Sequence, residues 1–195
     1  MSSKWLSVRL LAAFLLVTSP LALQAKAINT VNTVDAPRVN IHIANFGQVD
    51  DHYYRGAQPS AADYRDLAAL GVKTVVDLTR DGRADEASLV QAAGMKFVRI
   101  PLTTTQRPSD EAIAEFLKLV NDSANQPVYV HCQGGRHRTG AMTAVYRMTQ
   151  DGWTADQAYA EMKHYKFEGF PGHPELKSFV YDYYTHVAHA QNMNR

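Results

Sequence analysis

The chain reads as an α/β protein, a single domain with a central, largely parallel sheet flanked by helices. Two observations predict it. Short apolar runs at 72–78, 96–102 and 128–131 alternate with helical patterns, the order that builds parallel strands through crossover helices. The 195 residues, 46% hydrophobic and 20% charged, suffice for one core, and beyond residue 40 no Ser/Gly/Pro-rich stretch or charge run divides them.

Residues 1–27 stand apart from that domain. Lys4 and Arg9 lead into the apolar run 10–17, Pro20 breaks it, and Ala25-Lys26-Ala27 puts small residues where a signal peptidase reads them. This order predicts a secretory signal peptide cleaved after Ala27. The competing reading is a membrane anchor, but spanning a bilayer takes about 20 consecutive apolar residues, and this run is far shorter. No Cys lies near residue 27 to carry a lipid. The expected product is exported, periplasmic or secreted, with no stable membrane insertion after cleavage.

Residues 28–40 are polar and irregular, a flexible lead-in to a domain over 41–195. A short strand is expected at 53–55. Ser60 and Asp63 have capping-box spacing at the head of a helix with Tyr64, Leu67, Ala68 and Leu70 on one stripe, closed by Gly71. Residues 72–78 read as a buried strand, 84–93 as a short helix stopped by Gly94, and 96–102 as the next strand. After a Thr-rich loop, Ser109 caps a helix bearing Ile113, Phe116, Leu117 and Val120. Pro127 bounds the strand 128–131. Further helices are expected from about Thr139 to Gln150, from Thr154, and over 174–190.

The charge balance narrows the partners. The whole chain carries 20 basic and 19 acidic residues. Removing 1–27 takes away Lys4, Arg9 and Lys26 and no acid, which leaves 17 basic against 19 acidic and a net charge of −2. A mildly acidic product lacks the basic excess of a general nucleic-acid binder. Cys132 is the only cysteine, so no internal disulfide can form. A lone thiol in an oxidising compartment is a liability unless it has a task.

Cys132 stands at a strand end, where open α/β sheets bind ligands. Five residues separate it from Arg138, and Gly134 and Gly135 let the intervening loop curl until its backbone N–H groups converge as an anion nest. The helix beginning near Thr139 adds its positive end. Arg138 can grip two phosphate oxygens with its planar fork. The same field favours the thiolate, and the Thr139 hydroxyl can donate to it. The expected chemistry is in-line attack by Cys132 on phosphorus, then hydrolysis of a phosphocysteine.

The pattern His-Cys-x-x-Gly-x-x-Arg-Ser/Thr-Gly is met at every specified position from His131 to Gly140. In this the chain resembles the cysteine-based protein-tyrosine and dual-specificity phosphatases. Chance would produce the match about once in 10⁶ chains of this length. Tyr54-Arg55-Gly56-Ala57-Gln58-Pro59, Val75-Val76-Asp77-Leu78 and Ile100-Pro101-Leu102 extend the resemblance to the small atypical dual-specificity phosphatases, over about residues 49–172. The run Arg136-His137-Arg138-Thr139-Gly140 is most similar to the plant and fungal atypical group.

The resemblance implies Cys132 as nucleophile, Arg138 as phosphate clamp, and Gln133, Gly134, Gly135, Arg136, His137 and Arg138 as the phosphate-binding loop. Thr139 and His131 are the implied thiolate-stabilising residues, His131 by supporting the loop from behind. Arg136 and His137 fall on the outer rim, where substrate contact and plain solvent exposure are both open. No metal or other cofactor is implied, and no His/Asp metal spacing stands out.

One part of the family pattern is missing. A general acid, an Asp roughly thirty residues before the cysteine, normally protonates the leaving oxygen, an effect typically worth about 10²–10⁴-fold. Here residues 100–108 hold no carboxylate. The nearest candidate is Asp110, which can equally be an acid placed at a helix start by the dipole. Asp81 and Glu168 are the alternatives.

The expected function is an exported cysteine-dependent phosphatase for phosphate monoesters, phosphotyrosine-like and extending to dual specificity. Its partners are a phosphorylated protein or a small phosphate. The alternative is an inositol polyphosphate or pyrophosphate phosphatase, for which Lys73, Lys163, His164 and Lys166 would supply extra cations. A sulfurtransferase and an inactive phosphate-binding module are the remaining readings. The sequence leaves the oligomeric state open.

Overall fold

The computed structural model describes residues 40–169 and 171–193. The expected signal peptide and all of the expected lead-in except Asn40 lie outside the described residues. Among those described, no helix is long and apolar enough to cross a membrane.

Eleven elements follow one another among these residues. They are β1 (Gly47–Asp50), β2 (Tyr53–Ala57), α1 (Asp63–Ala69), β3 (Thr74–Thr79), α2 (Glu86–Ala92), β4 (Lys96–Leu102), α3 (Asp110–Asn121), β5 (Val128–Cys132), α4 (Arg138–Gln150), α5 (Ala155–His164) and α6 (Pro174–Met193). The five strands form one sheet in the order β1-β2-β5-β3-β4. β2, β5, β3 and β4 are mutually parallel, and only β1 runs antiparallel, against β2. The expected α/β fold is therefore found.

Side chains alternate across a strand, so each inner strand feeds two cores. Val76 and Leu78 of β3 and Val128, Val130 and Cys132 of β5 pack with Phe116 of α3, Met142 and Val145 of α4, and Phe179 of α6. Val75 of β3 and Tyr129 of β5 join Tyr64 and Leu67 of α1 and Val90 of α2 on the other face. Fully burying a side chain such as Phe116 or Leu67 contributes about 1.5–3 kcal/mol, which is why these run-forming residues dictate the layers. Successive residues of β5 thus face opposite ways, Cys132 toward α4 and His131 toward α2.

One local expectation is corrected, and one strand is added. The Ser60 hydroxyl does not cap α1, whose N-cap is Ala62; instead Asp63 Oδ2 accepts the Ser60 backbone N–H at 2.7 Å. The strand β1 had no apolar alternation to betray it, and forms because it pairs with β2. The capping box at Thr154 and Gln157 opens α5 with both reciprocal bonds made, and Ser109 Oγ accepts from the Ala112 N–H at the head of α3.

Candidate active site

The loop after β5 is shaped from outside. Gln133, Gly134 and Gly135 turn their carbonyls away from the loop's centre, each toward a donor near β2. The Gln58 N–H donates to Gln133 O at 3.2 Å, Asn45 Nδ2 to Gly134 O at 2.7 Å, and Arg55 Nη2 to Gly135 O at 2.8 Å. In a trans peptide the N–H points opposite to the C=O, so the N–H groups of Gly134, Gly135 and Arg136 converge inward. Asn45 reaches its carbonyl from a left-handed backbone position, φ 53°, which Asn tolerates better than most residues. Gly135 has φ 65°, and a Cβ there would sit 2.6 Å from the Ala57 nitrogen.

Cys132 ends β5 at the centre of this loop, with 2% of its surface exposed. Burial alone would push its thiol up. The Thr139 hydroxyl and N–H, the charge of Arg138 and the Gly135 N–H outweigh burial and bring the thiol below its ordinary value. Thr139 Oγ1 is buried and makes no bond to another side chain, leaving its proton for the sulfur. Arg138 opens α4 and is anchored by one edge, Nη1 donating to Leu102 O at 3.3 Å. Its Nε is buried and donates to no protein group, so part of the guanidinium remains free for an anion.

His131 stands on the far side of β5 from the sulfur. Its Nε2 lies 2.9 Å from Glu86 Oε1, and its ring stacks on Tyr129. The expected support of the loop from behind is where the structure puts His131: its contact is with Glu86 and not with the sulfur, because adjacent strand residues face opposite ways. Glu86 also accepts from Gln58 Nε2 and from the Tyr64 hydroxyl, both at 2.7 Å. Burial opposes ionisation of Glu86, but these bonds and the His131 partner hold its carboxyl at about 2. Asp77, Glu86 and His131 bring ligand-type atoms within 4.8 Å of one another. That cluster already contains a cation, Arg99, with Nε 2.7 Å from Asp77 Oδ2 and Nη2 3.6 Å from Glu86 Oε2.

The mouth is a cleft of about 450 Å³ lined by Thr104, Cys132, Gln133, Gly134, Arg136, His137, Arg138 and His173. Arg136 and His137 are half-buried rather than fully exposed, Arg136 lying 3.6 Å from Glu168 and His137 packing on Phe167 and His173. Adjoining clefts past Gln133 add Arg80, Asp81, Arg83, Thr103 and Gln58. Asp81 Oδ1 is 3.9 Å from Arg138 Nη1.

Asp110 is not brought to this mouth. It is the exposed first residue of α3 and lines none of these clefts, and even the cleft bounded by Ser109 and Ala112 leaves it out. Its position is that of an acid favoured by the helix dipole. The proposed cations Lys73, Lys163, His164 and Lys166 also line none of these clefts, and Lys73 precedes β3 at the opposite end of the sheet. The mouth draws its positive charge from Arg80, Arg83, Arg136 and Arg138. Sequence reasoning missed Asn45, Gln58, Glu86 and His173, and saw Arg55 only as part of a strand. A charged residue within a run that becomes fully buried, as Arg55 does, is the one signal that could have flagged a structural role.

A family model described as DSP-PTPase phosphatase fused to NAD+ kinase matches residues 26–177. The chain is 29% identical over 137 residues to inositol diphosphatase DSP2 of Oryza sativa subsp. japonica, covering 68% of this chain and 67% of that protein. It is 30% identical over 129 residues to the dual specificity protein phosphatase TpbA of Pseudomonas aeruginosa, covering 66% of this chain and 55% of that protein. The crystal structure of TpbA in complex with pTyr superposes with a TM-score of 0.62 at 25% identity, covering 74% of this chain and 90% of that one.

Proposed function

The chain belongs to the DSP-PTPase phosphatase family, and on that premise we propose that it is an exported cysteine-dependent phosphatase that hydrolyses phosphate monoesters through a phosphocysteine. The observation that carries the reading is the pairing of a thiol held below its ordinary value with an inward-facing N–H ring and a free Arg138 edge. A phosphoryl group seated there has its oxygens on the N–H groups of the 133–138 loop and on Arg138, with phosphorus above the sulfur. The sulfur lone pair attacks phosphorus and the P–O bond to the leaving group breaks. Water then cleaves the P–S bond and returns the electron pair to Cys132. Charge-assisted hydrogen bonds of this kind contribute about 1.5–3 kcal/mol each, most where charge builds up on the transferring oxygens.

Phosphotyrosine-like esters are the leading substrates, supported by the likeness to TpbA, whose structure holds pTyr. A second reading, an inositol polyphosphate or pyrophosphate phosphatase, is favoured by Arg80, Arg83 and Arg136 around the mouth and by the likeness to a protein named inositol diphosphatase. Turnover of p-nitrophenyl phosphate, a phosphotyrosyl peptide and inositol hexakisphosphate by the reduced protein tests both. Cys132→Ser is expected to abolish turnover while keeping affinity for phosphate, and undiminished activity in that variant sinks the mechanism. Export rests on the order of residues 1–27, and is tested by the mass of the product, expected to begin at Ile28.

A further inference from the structure

We infer that His173 is a catalytic residue of this site, the donor that protonates the leaving oxygen in place of the carboxylate that the loop after β4 lacks. The inference rests on the phosphatase reading above. The cleft that contains Cys132 has no carboxylate in its wall, and the two imidazoles that line it are those of His137 and His173. Of the alternatives, Asp81 lines the adjoining clefts and faces the Arg138 guanidinium, while Glu168 lies beside Arg136 and lines none of these clefts.

His173 is held in one tautomer. Its Nδ1 lies 3.1 Å from Thr104 O, and a carbonyl only accepts, so Nδ1 carries a proton and Nε2 is the nitrogen that gains or releases one. Thr104 belongs to the Thr-rich loop after β4, where the family pattern expects its acid. The backbone of that loop therefore fixes a histidine at the mouth although its side chains offer no carboxylate. The His173 N–H is tied to the carbonyls of Glu168 and Gly169 at 3.0 and 2.7 Å, which fixes the other side of the residue.

The neighbouring ring is the other imidazole of the cleft. His137 lies with its centroid 3.8 Å from that of His173. Burial first, then the charges of His173, Arg136 and Arg138, against the opposing pull of Glu168, lower His137 to about 4. His137 is therefore unprotonated near neutral pH, and His173 is the imidazole of this cleft left as the candidate donor. The charged groups around the two rings are Arg136 and Arg138 of the loop, Glu168 beside Arg136, and Lys177 one turn into α6, whose ammonium lies over Tyr159.

The steps balance. As the sulfur–phosphorus bond forms, the P–O bond breaks, its electron pair goes to the leaving oxygen, and His173 Nε2 gives that oxygen a proton. As water attacks the phosphocysteine, Nε2 takes a proton from it and the P–S electron pair returns to sulfur.

The test is a series of phosphates with leaving groups from dinitrophenol through phenol to an alkyl alcohol, turned over by the full chain. The wild type is expected to show little dependence on leaving-group pKa at pH 6 and a fall in kcat/KM for phenyl phosphate toward alkaline pH. His173→Asn should slow phenyl phosphate about 100-fold, the dinitrophenyl ester only a few-fold, and remove that alkaline limb. A steep leaving-group dependence in the wild type overturns the proposal without any variant, as does equal slowing of all esters by His173→Asn. The same selective loss in Asp81→Asn, with His173→Asn silent, assigns the role to Asp81 and also overturns it. No turnover of any phosphate by the reduced wild type sinks the phosphatase reading itself; turnover with uniform losses sinks only the role of His173.

Discussion

His131 Nε2 lies 2.9 Å from Glu86 Oε1, and neither side chain reaches solvent. The residue beside the nucleophile is thereby braced by a helix on the opposite face of the sheet. Glu86 also gathers Gln58, whose backbone N–H holds the Gln133 carbonyl, so one carboxylate supports the loop by two routes.

Glu86→Gln should destabilise the fold by about 3–5 kcal/mol, the cost of leaving half of a buried pair, read as a lower urea midpoint. Because the Glu86 carboxyl is depressed to about 2 from 4.5, its stabilisation is present above pH 4.5 and is lost as the pH falls toward 2. The wild type should therefore weaken across that window. The variant should show a shallower fall, and an equal fall in both would exclude Glu86 as its source.

Thr139→Ala should raise the Cys132 thiol. Iodoacetamide should then alkylate the variant more slowly than the wild type at pH 6, with the difference narrowing as the pH rises. Phosphate should protect both proteins. A rate unchanged at pH 6 would remove the hydroxyl from the account of the thiolate.

Gly135→Ala combines a left-handed φ of 65° with a Cβ pressed on the backbone of β2. It should lower kcat/KM for p-nitrophenyl phosphate at least 100-fold. Arg55→Lys keeps the charge but cannot span both Gly135 O and the Tyr165 ring, over which the guanidinium lies at 3.8 Å. A loss of about 10-fold in phosphate affinity is expected, measured by protection from alkylation.

Arg80→Ala and Arg136→Ala should separate the two substrate readings. For a monoester they should change KM by no more than a few-fold. For inositol hexakisphosphate, if it is turned over, each should raise KM about 10-fold, and the wild-type KM should climb steeply with salt. Salt-independent KM values would leave these arginines without a role in recognition.

The strands 72–78, 96–102 and 128–131, the helices between them and the run from His131 to Gly140 were legible because each depends on residues close in the chain. Hydrophobic period, glycine stops and the spacing of Cys132, Gly134, Gly135, Arg138 and Thr139 are local signals. The position of Asp110 misled for the same reason: the carboxylate nearest the expected window before Cys132 opens the first turn of a helix outside the mouth, and sequence distance carries no direction.

By itself the sequence determined the α/β layering, the lone thiol and the loop that surrounds it, since apolar periodicity and motif spacing are written residue by residue. The tertiary structure alone decided that Asn45, Gln58 and Arg55 turn the loop's carbonyls outward, that Glu86 braces His131, and that Thr104 holds His173 in the wall of the cleft that contains Cys132. The physical reason is that a hydrogen bond needs its donor and acceptor within about 3 Å, and partners far apart in the chain reach that distance only when the strand order β1-β2-β5-β3-β4 brings their loops to one edge.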